Sequence, residues 1–340
     1  MSILFEEIHD QPAAIRRALD AGAGPVRALA QAAKARGVKF VILAARGTSD
    51  NAATYAKYLL QITCGIPAGL AAPSVHTLYE ARVDYRDALV IGVSQSGAGE
   101  DINEVVSQAR KAGALTAAIT NTPDSAIAGI AEHVLQCSAG VERAVAATKT
   151  YTTTLALCAA LAAEWSGNAD LAAALQRVPE AAQRALALLP GTVEPLASTL
   201  IHAQRLVSVA RGLHFPTAIE ASLKIAETSY TATQAFSSAD LLHGPIASVP
   251  AQTPCLLFAP SGKTEESMRT LAEKLRGRGA RVLLATEDAG ADLPLVDPGT
   301  ELLAPIVDIL PAQLLAYHLT VARGYDPDNP SGLSKVTITR

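Results

Sequence analysis

The stretch Val90-Ile-Gly-Val-Ser-Gln-Ser-Gly-Ala-Gly-Glu-Asp101 decides the fold. An apolar run of strand length is followed by a turn of small hydroxyl and glycine residues and then by polar residues typical of a helix start. This order is typical of a buried parallel strand that leads through a ligand-binding loop into the amino end of a helix. Backbone N–H groups, the helix dipole and the hydroxyls of Ser94 and Ser96 can bind an anion there. The same residues also form ordinary turns, so the loop alone leaves phosphate binding and plain turn chemistry both open.

Strand, loop and helix patterns alternate through the first half of the chain. Residues 39–45 form an apolar run that is followed by the loop Arg46-Gly47-Thr48-Ser49-Asp50 and a helical pattern through Leu60. Residues 88–112 repeat this order, and residues 115–120 form a further strand. Strands that are apolar on both faces and alternate with helices predict a parallel sheet covered by helices. Further helical patterns cover residues 5–19 with a break at Pro12, 26–36, 144–164 and 171–189.

The second half repeats the first at a constant offset. Gly212 and Gly262 each close an apolar run, and they lie 165 residues after Gly47 and Gly97 (212 minus 47, and 262 minus 97). Two matches at one offset predict a duplication, so we expect an α/β protein of two tandem domains, each a parallel sheet in a three-layer, flavodoxin-like α-β-α arrangement. We expect the loop at 260–263 to have lost its ligand, which leaves one working site per chain. The predicted divisions are N-terminal helices over 1–36, a first domain over 37–190, a second over 191–325 and a C-terminal tail over 326–340.

The composition excludes several classes of function. The 340 residues are 49% hydrophobic and 18% charged, with a formal net charge of −4. Because no basic cluster is present to face a phosphate backbone, nucleic acid is not an expected partner, and small molecules or proteins remain. The histidines show no metal-ligand spacing, so we expect neither a metal nor another cofactor.

The chain also lacks the patterns of an exported or membrane protein. Its first residues carry Glu6 and Glu7 in place of a basic and then apolar signal, and the longest apolar stretch, about residues 155–163, is too short to cross a bilayer. The cysteines are scattered among apolar neighbours, which is typical of reduced thiols. A cytoplasmic protein with no membrane association is expected.

Several charged residues are candidates for proton transfer. Helical spacing places Glu220, Lys224 and Glu227 near one face of a helix, but that spacing equally suits an ordinary ion pair. His243 precedes a Gly-Pro pair at a predicted loop, where an imidazole can exchange protons near neutral pH or serve only structure. Lys335 follows a stretch rich in Pro and Gly, and a lysine near a terminus is commonly solvated. Spacing alone leaves these alternatives open.

Six motifs in order give the chain a resemblance that covers almost its whole length. They are Gly47-Thr-Ser49, Ser94-Gln-Ser-Gly97, Val145-Ala-Ala-Thr-Lys149, Glu220-Ala-Ser-Leu-Lys-Ile-Ala-Glu227, His243-Gly-Pro245 and Leu333-Ser-Lys-Val-Thr337, preceded by an N-terminal helix at Glu7-Ile-His-Asp-Gln-Pro12. With these motifs the chain resembles the sugar isomerase (SIS) family, in particular the isomerase half of glucosamine-6-phosphate synthases and their free-standing relatives. Arg46, at a position where synthases usually carry cysteine, is more similar to the deaminase branch.

The resemblance implies a role for each matched residue. It implies that Glu227 is the base that moves a proton between C1 and C2, that Lys224 lies close to the sugar, and that Lys335 closes over it. It implies that His243 opens the sugar ring and enters the site from a partner subunit, so a homodimer is expected. The residues implied to bind the phosphate and sugar are Gly47, Thr48, Ser49, Ser94, Gln95, Ser96, Gly97, Val145 and Glu220.

The implied substrate is a hexose phosphate or an amino-sugar phosphate. Because the chain begins directly at the isomerase-like helix, we expect no glutamine hydrolysis. The favoured activity is therefore deamination of glucosamine 6-phosphate to fructose 6-phosphate and ammonia, with plain aldose–ketose isomerisation and a phosphosugar-binding regulator as alternatives. Gly99 and Ala147 stand where the synthase pattern has hydroxyl residues, so we expect backbone N–H groups to hold more of the phosphate.

Overall fold

The computed structural model describes residues 2–335, and Val336 to Arg340 at the end of the predicted tail lie outside the described residues. In chain order the helices are α1 (Ile3–His9), α2 (Gln11–Ala35), α3 (Thr48–Cys64), α4 (Ser74–Thr77), α5 (Glu100–Lys111), α6 (Ala126–Ile130), α7 (Lys149–Ser166), α8 (Ala169–Leu175), α9 (Val178–Leu188), α10 (Val193–Ser198), α11 (Phe215–Ser229), α12 (Ser238–Leu242), α13 (Glu265–Gly277), α14 (Ala304–Asp308) and α15 (Leu310–Ala322). The strands are β1 (Phe40–Ala44), β2 (Ala68–Leu70), β3 (Ala88–Val93), β4 (Leu115–Thr120), β5 (His133–Gln136), β6 (Arg205–Ala210), β7 (Ala232–Ser237), β8 (Pro254–Phe258), β9 (Arg281–Thr286) and β10 (Leu293–Pro294).

The chain divides into two compact units. The first-sheet unit comprises Ala13–Glu142, Lys149–Gln176, Ser334 and Lys335. The second-sheet unit comprises Arg143–Thr148, Arg177–Leu333 and the residues before Ala13. Both units draw on segments that are distant in the sequence, and the domain borders expected at residues 37, 191 and 326 stay a prediction.

The first-sheet unit contains a parallel sheet of five strands in the order β2-β1-β3-β4-β5. Its two central strands, β3 and β4, are buried at every position. Such burial requires helices on both faces, which is why these strands are continuous apolar runs in the sequence. Ile102, Val105 and Val106 of α5 belong to the core cluster that packs on Val90 of β3. The predicted three-layer arrangement is confirmed, because this strand order is that of flavodoxin-like folds.

The second-sheet unit repeats the topology. Its sheet is also parallel, in the order β7-β6-β8-β9-β10, which is the first order with each strand replaced by its counterpart. Met268, Leu271 and Leu275 of α13 pack against Val209 and Leu257 of the central strands β6 and β8. The equal topology confirms the two tandem α/β domains inferred from the 165-residue offset.

Some helix predictions were wrong in detail. The helix expected at 26–36 is the end of α2, which runs through Pro25 without an interruption because Val26 and Leu29 bury its apolar face. The helix expected from residue 144 starts only at Lys149. The pattern at 171–189 is divided into α8 and α9. Pro179 cannot donate a backbone hydrogen bond, and it lies in the first turn of α9, where no such bond is needed.

One helical stretch, Ala304–Ala322, is long and apolar enough to cross a membrane by length and composition alone. The fold buries 83% of the relevant window, and the core helices of soluble proteins satisfy the same criterion. The stretch joins α14 to α15, and α15 packs against α10 and α11 within the second-sheet unit. Its apolar character therefore has an explanation in the core of that unit.

Candidate functional site

The predicted site residues fall into two groups, and each is described within its own unit. The first-sheet unit holds Gly47, Thr48, Ser49, Ser94, Gln95, Ser96, Gly97 and Lys335. The second-sheet unit holds Val145, Glu220, Lys224, Glu227 and His243.

In the first-sheet unit, the loops that follow β1 and β3 leave neighbouring strands at the same edge of the sheet. The two strands pair in parallel, with Ala44 opposite Gly92. The strand order reverses between them, and this switch point is where parallel α/β sheets commonly bind ligands. Each loop continues into a helix, α3 or α5, whose first N–H groups and dipole favour an anion. The structure thus brings the predicted phosphate-binding motifs together.

The loop after β3, residues 94–99, which we call the β3 loop, has its own hydrogen bonds. The N–H of Gly97 donates to Ser94 Oγ at 3.1 Å, and the N–H of Ala98 donates to Ser96 Oγ at 3.3 Å. Both serine oxygens act as acceptors, so each hydroxyl hydrogen remains available to donate to a ligand. Gly97 has a φ of +64°, and a Cβ there would overlap the side chain of Ser125. Glycine is therefore required at this position by both backbone and packing.

An open pocket of about 530 Å³ lies beside this loop in the first-sheet unit. Its lining is Arg17, Gln95, Asn121, Thr122, Gln136, Ser138, Gly140, Val141 and Glu142. Of the predicted site residues, Gln95 belongs to this lining, and its carbonyl oxygen accepts from the N–H of Asn121 at 3.0 Å. The pocket follows the carboxyl ends of β3, β4 and β5, so ligand space extends from the β3 loop toward β5.

Glu142 is a site residue that sequence reasoning missed. Its side chain is fully buried, and Lys335 Nζ donates to its Oε2 at 2.9 Å. The same carboxylate accepts from the N–H and the hydroxyl of Thr150 at 3.0 and 2.8 Å, near the start of α7. Glu142 therefore binds the amino end of α7 and the ammonium group of Lys335 at once. Lys335 lies 193 residues away in the sequence, and the one available signal was an acid just before a helix rich in threonine.

In the second-sheet unit, α11 brings Glu220, Lys224 and Glu227 together as their spacing predicted. Lys224 Nζ lies 2.6 Å from Glu227 Oε2 and 3.6 Å from Glu220 Oε1. The side chains of Lys224 and Glu220 are 3% and 0% exposed, whereas that of Glu227 is 26% exposed. A buried ammonium group between two carboxylates leaves only Glu227 open to a ligand, so the helix presents one oriented carboxylate at its surface.

The other two predicted residues of this unit are more exposed. His243 follows α12 and is exposed, and no hydrogen bond or ion pair joins its imidazole to another described residue. Val145 is half-buried in a segment whose backbone is held by Glu7, which accepts from the N–H of Arg143 at 2.6 Å. The structure fixes the position of Val145 through its neighbours and leaves the His243 side chain accessible.

Other reactive groups of the chain are unsuited to catalysis. Burial raises the pKa of the Cys137 thiol to about 11 and that of Cys158 to about 12. A thiol that stays protonated at neutral pH is a poor nucleophile. Among residues 2–335, no group of three or more His, Cys, Asp and Glu side chains is arranged to hold a metal ion. Candidate chemistry therefore rests on the carboxylates, the lysines and His243.

Comparison with known proteins decides the family. The SIS domain model matches residues 34–164 and 199–323. The chain belongs to the SIS domain family. The two matched segments correspond to the two sheets, so the family recognised from the ordered motifs is confirmed.

Three relatives illustrate the range within this family. The glutamine–fructose-6-phosphate aminotransferase (isomerizing) of Thermococcus kodakarensis is 35% identical over 98% of this chain, which spans 58% of that relative's length. A protein from Silicibacter pomeroyi DSS-3 named as a phosphosugar isomerase is 32% identical, with a TM-score of 0.88 over 96% of this chain and 100% of its own. The C-terminal domain of the glucosamine-fructose-6-phosphate aminotransferase of Francisella tularensis is 26% identical, with a TM-score of 0.86 over 97% of this chain and 98% of its own. These relatives are thus named as a phosphosugar isomerase and as hexose-phosphate aminotransferases.

Proposed function

We propose that this SIS protein is an aldose–ketose enzyme for phosphorylated hexoses, and that it converts glucosamine 6-phosphate and water to fructose 6-phosphate and ammonia. The observation that supports this most is the arrangement on α11, where one partly exposed carboxylate is paired with a buried ammonium group. Moving a proton between adjacent sugar carbons requires one positioned base that can take the proton and return it. Glu227 has the exposure for this work.

In the proposed reaction Glu227 acts as the base. The carboxylate removes the C2 proton of the open-chain amino sugar while the carbonyl oxygen at C1 gains a proton, which gives an enolamine. The same C2 proton returns to C1 as the amino nitrogen loses a proton, which gives an imine. Water then adds to the resulting imine at C2, and ammonia leaves. Lys224 holds the carboxylate in place, and Glu220, which is fully buried, acts through Lys224 as a positioning residue.

The proposed phosphate site is formed by the loops of the first-sheet unit. Helix amino ends supply N–H groups, and Ser94 and Ser96 supply hydroxyl donors. The predicted role of Lys335 is to contact the carbonyl group of the open-chain sugar. In the structure its ammonium group donates to Glu142. The predicted role of His243 is ring opening in the site of a partner subunit, for which its exposed imidazole is suited. The homodimer and the cytoplasmic location stay predictions.

A Glu227→Gln variant tests the proposal. Incubation of the parent with glucosamine 6-phosphate should release ammonia and fructose 6-phosphate in equal amounts. Loss of the base should lower kcat by about 10²- to 10⁴-fold, with little change in the affinity for fructose 6-phosphate. Glu273→Gln is the matched control, since Glu273 is exposed on α13 of the same unit. Equal activity of the Glu227→Gln variant and the parent would exclude this role.

A second candidate is the isomerisation of a hexose phosphate that carries no nitrogen. It is supported by the isomerase name of the Silicibacter pomeroyi relative, which the chain covers completely. Glucosamine 6-phosphate and glucose 6-phosphate assayed side by side distinguish the two reactions, because only the first can release ammonia. Tight binding of both sugars without turnover of either would instead favour a regulator.

A further inference from the structure

Arg46 places a cationic side chain at the first ligand loop of the first-sheet unit. It follows β1 directly after Ala45, and its carbonyl oxygen accepts from the N–H groups of Ser49 and Asp50 at 3.1 and 3.3 Å. The next residue, Gly47, has a φ of +54° and precedes α3. The backbone of Arg46 is therefore fixed between strand and helix, at the edge where the β3 loop also emerges.

Within residues 2–335, the side chain of Arg46 is hydrogen-bonded through a single atom. Its Nε donates to Asp101 Oδ2 at 2.8 Å, and the Asp101 side chain is 2% exposed whereas that of Arg46 is 55% exposed. A guanidinium group has five N–H donors, so four remain on Nη1 and Nη2. No described residue accepts a hydrogen bond from these four. A buried carboxylate thus orients a planar donor group whose outer edge faces solvent.

The same carboxylate lies next to a position where this chain has no hydroxyl. Gly99 stands where the synthase pattern has threonine, and a Cβ built on Gly99 would lie 3.5 Å from Asp101 Oδ1. Arg46 is bound to the other oxygen of that carboxylate. The Arg46 guanidinium group and the position that a threonine side chain would take therefore both lie next to the Asp101 carboxylate. Arginine can offer two parallel N–H donors to an anion, where a threonine offers one hydroxyl.

The charges around the loops also require a cation. Asp50 lies in the first turn of α3, and Glu100 and Asp101 lie in the first turn of α5. A phosphate dianion bound between these helix starts would face three carboxyl groups. Arg46 acts on two of these groups: it forms an ion pair with Asp101, and its charge opposes the rise that burial causes in the pKa of Asp50. Its guanidinium offsets part of the negative charge where the phosphate is expected.

We propose that Arg46, oriented by Asp101, binds the phosphate group of the substrate through Nη1 and Nη2 and takes over the role of a threonine hydroxyl at position 99. This inference rests on the proposed function in one respect, namely that the phosphate group binds at these loops. It makes Arg46 a specificity-determining residue for phosphorylated over free sugars, and it assigns to a side chain the contribution that we expected from backbone N–H groups.

Calorimetric titration with inorganic phosphate and with fructose 6-phosphate tests the inference. Arg46→Ala should weaken both affinities by about 10- to 100-fold, and Arg46→Lys, which keeps the charge but not the paired donors, by about 3- to 10-fold. Arg36→Ala is the matched control, because Arg36 forms an ion pair with Glu132 at the opposite end of β1 and is similarly exposed. It should bind both ligands as the parent does. Circular dichroism confirms folding, and Arg46→Lys carries the test if Arg46→Ala does not fold.

The outcomes separate this inference from the proposed function. Affinities of Arg46→Ala and Arg46→Lys that equal those of the parent would overturn the inference, even in an enzyme that releases ammonia. A parent that binds neither ligand would overturn it as well. A parent that binds phosphate through Arg46 but turns over no sugar would support the inference and refute the proposed function.

Discussion

The loops after β3 and β8 occupy the same place in two sheets of equal topology, yet they satisfy their backbone differently. In the β3 loop, the N–H groups of Gly97 and Ala98 donate to hydroxyls of the loop itself. In the loop at residues 260–264, which we call the β8 loop, the N–H of Ser261 donates to Glu287 Oε2 at 2.9 Å and the N–H of Lys263 donates to Glu301 Oε2 at 3.0 Å. In the β8 loop, carboxylates from elsewhere in the chain therefore accept the backbone hydrogen bonds.

The difference shows how one half of a duplication can lose a site and keep its fold. A loop at the carboxyl edge of a parallel sheet, next to a helix amino end, favours negative charge whatever supplies it. In the β8 loop Glu301 also approaches Lys263 Nζ at 3.7 Å, so loop and carboxylate satisfy each other. The geometry supports the expectation of one working ligand loop per chain.

The two loops should differ most in how replacing Gly97 or Gly262 by alanine changes the affinity for fructose 6-phosphate. Gly97→Ala would force an L residue to a φ of +64° and drive its Cβ into Ser125. We expect an increase in Kd for fructose 6-phosphate of about 100-fold or more, with a loss of about 3 kcal/mol in the free energy of unfolding. Titration calorimetry and urea denaturation measure the two effects.

Gly262→Ala is the matched change in the β8 loop. Its φ of +134° is equally unfavourable for alanine, and its Cβ would approach Glu301 Oε2 to 2.5 Å. Stability should fall, but the affinity for fructose 6-phosphate should stay within about twofold of the parent, because we expect this loop to bind no ligand. Equal losses of affinity in the two variants would refute the assignment of the phosphate to the β3 loop.

How much of the fold and of the candidate site could be predicted from the sequence depends on how far apart in the chain the interacting residues lie. β1, β3, β6 and β8 are apolar runs. The glycines after β1 and β6, and those after β3 and β8, are separated by the same offset, which predicted the duplication without any contact being known. β7 was missed because it is an edge strand of mixed polarity, Ala-Thr-Gln-Ala-Phe-Ser, whose burial is only partial. Three-residue β2 offers too short a pattern to recognise.

In the candidate site, too, pairs close in the sequence could be predicted and distant pairs could not. Lys224 and Glu227 are three residues apart, so helical spacing predicted their ion pair, although not that Glu227 would be the more exposed partner. The pair of Arg46 with Asp101 spans 55 residues, and the pair of Glu142 with Lys335 spans 193. Such pairs arise only when the sheet aligns the ends of separate strands, and no local pattern encodes them.

A second difference lies after the first strand of each sheet. At the offset of 165 residues, Arg46 corresponds to Arg211, which is exposed as well. Ser49 of the first sheet is half-buried and corresponds to His214 of the second, whose Nε2 is 2.8 Å from Asp308 Oδ2. Both side chains of this pair are at most 4% exposed. Burial is the main cause that raises the pKa of Asp308 to about 6, against the opposing effect of His214, and Glu287 and Asp297 add to the rise. In the second-sheet unit, the counterpart of the predicted ligand residue Ser49 is therefore part of a buried structural pair.

The stability of this pair should depend on pH. The folded chain keeps the Asp308 proton up to about pH 6, whereas the unfolded chain loses it near 3.8. The free energy of unfolding should therefore fall as the pH rises through this window, and Asp308→Asn should remove that fall. The variant should gain up to about 3 kcal/mol relative to the parent between pH 4 and pH 7. Urea denaturation at several pH values measures it, with Asp20→Asn on the surface of α2 as control. If the free energy of unfolding depends on pH in the same way in the parent and in Asp308→Asn, the expected pKa shift of Asp308 is contradicted.

The variant with the smallest expected effect tests the comparison of the two loops most directly, because it makes the β8 loop accessible to an anion. Glu301→Ala removes the carboxylate that accepts from the N–H of Lys263 and that lies against Gly262. The freed N–H and Lys263 should then bind inorganic phosphate weakly. At ten times the Kd of this new site, phosphate should stabilise the variant by about 1.4 kcal/mol more than the parent. Thermal unfolding against phosphate concentration measures this, and Glu273→Ala, which lies on α13 away from the loop, should match the parent. Titration calorimetry should give one phosphate per parent chain and two per Glu301→Ala chain. One phosphate in both would mean that the β8 loop has diverged too far to bind an anion, and that Glu301 does not act as an internal substitute for a ligand.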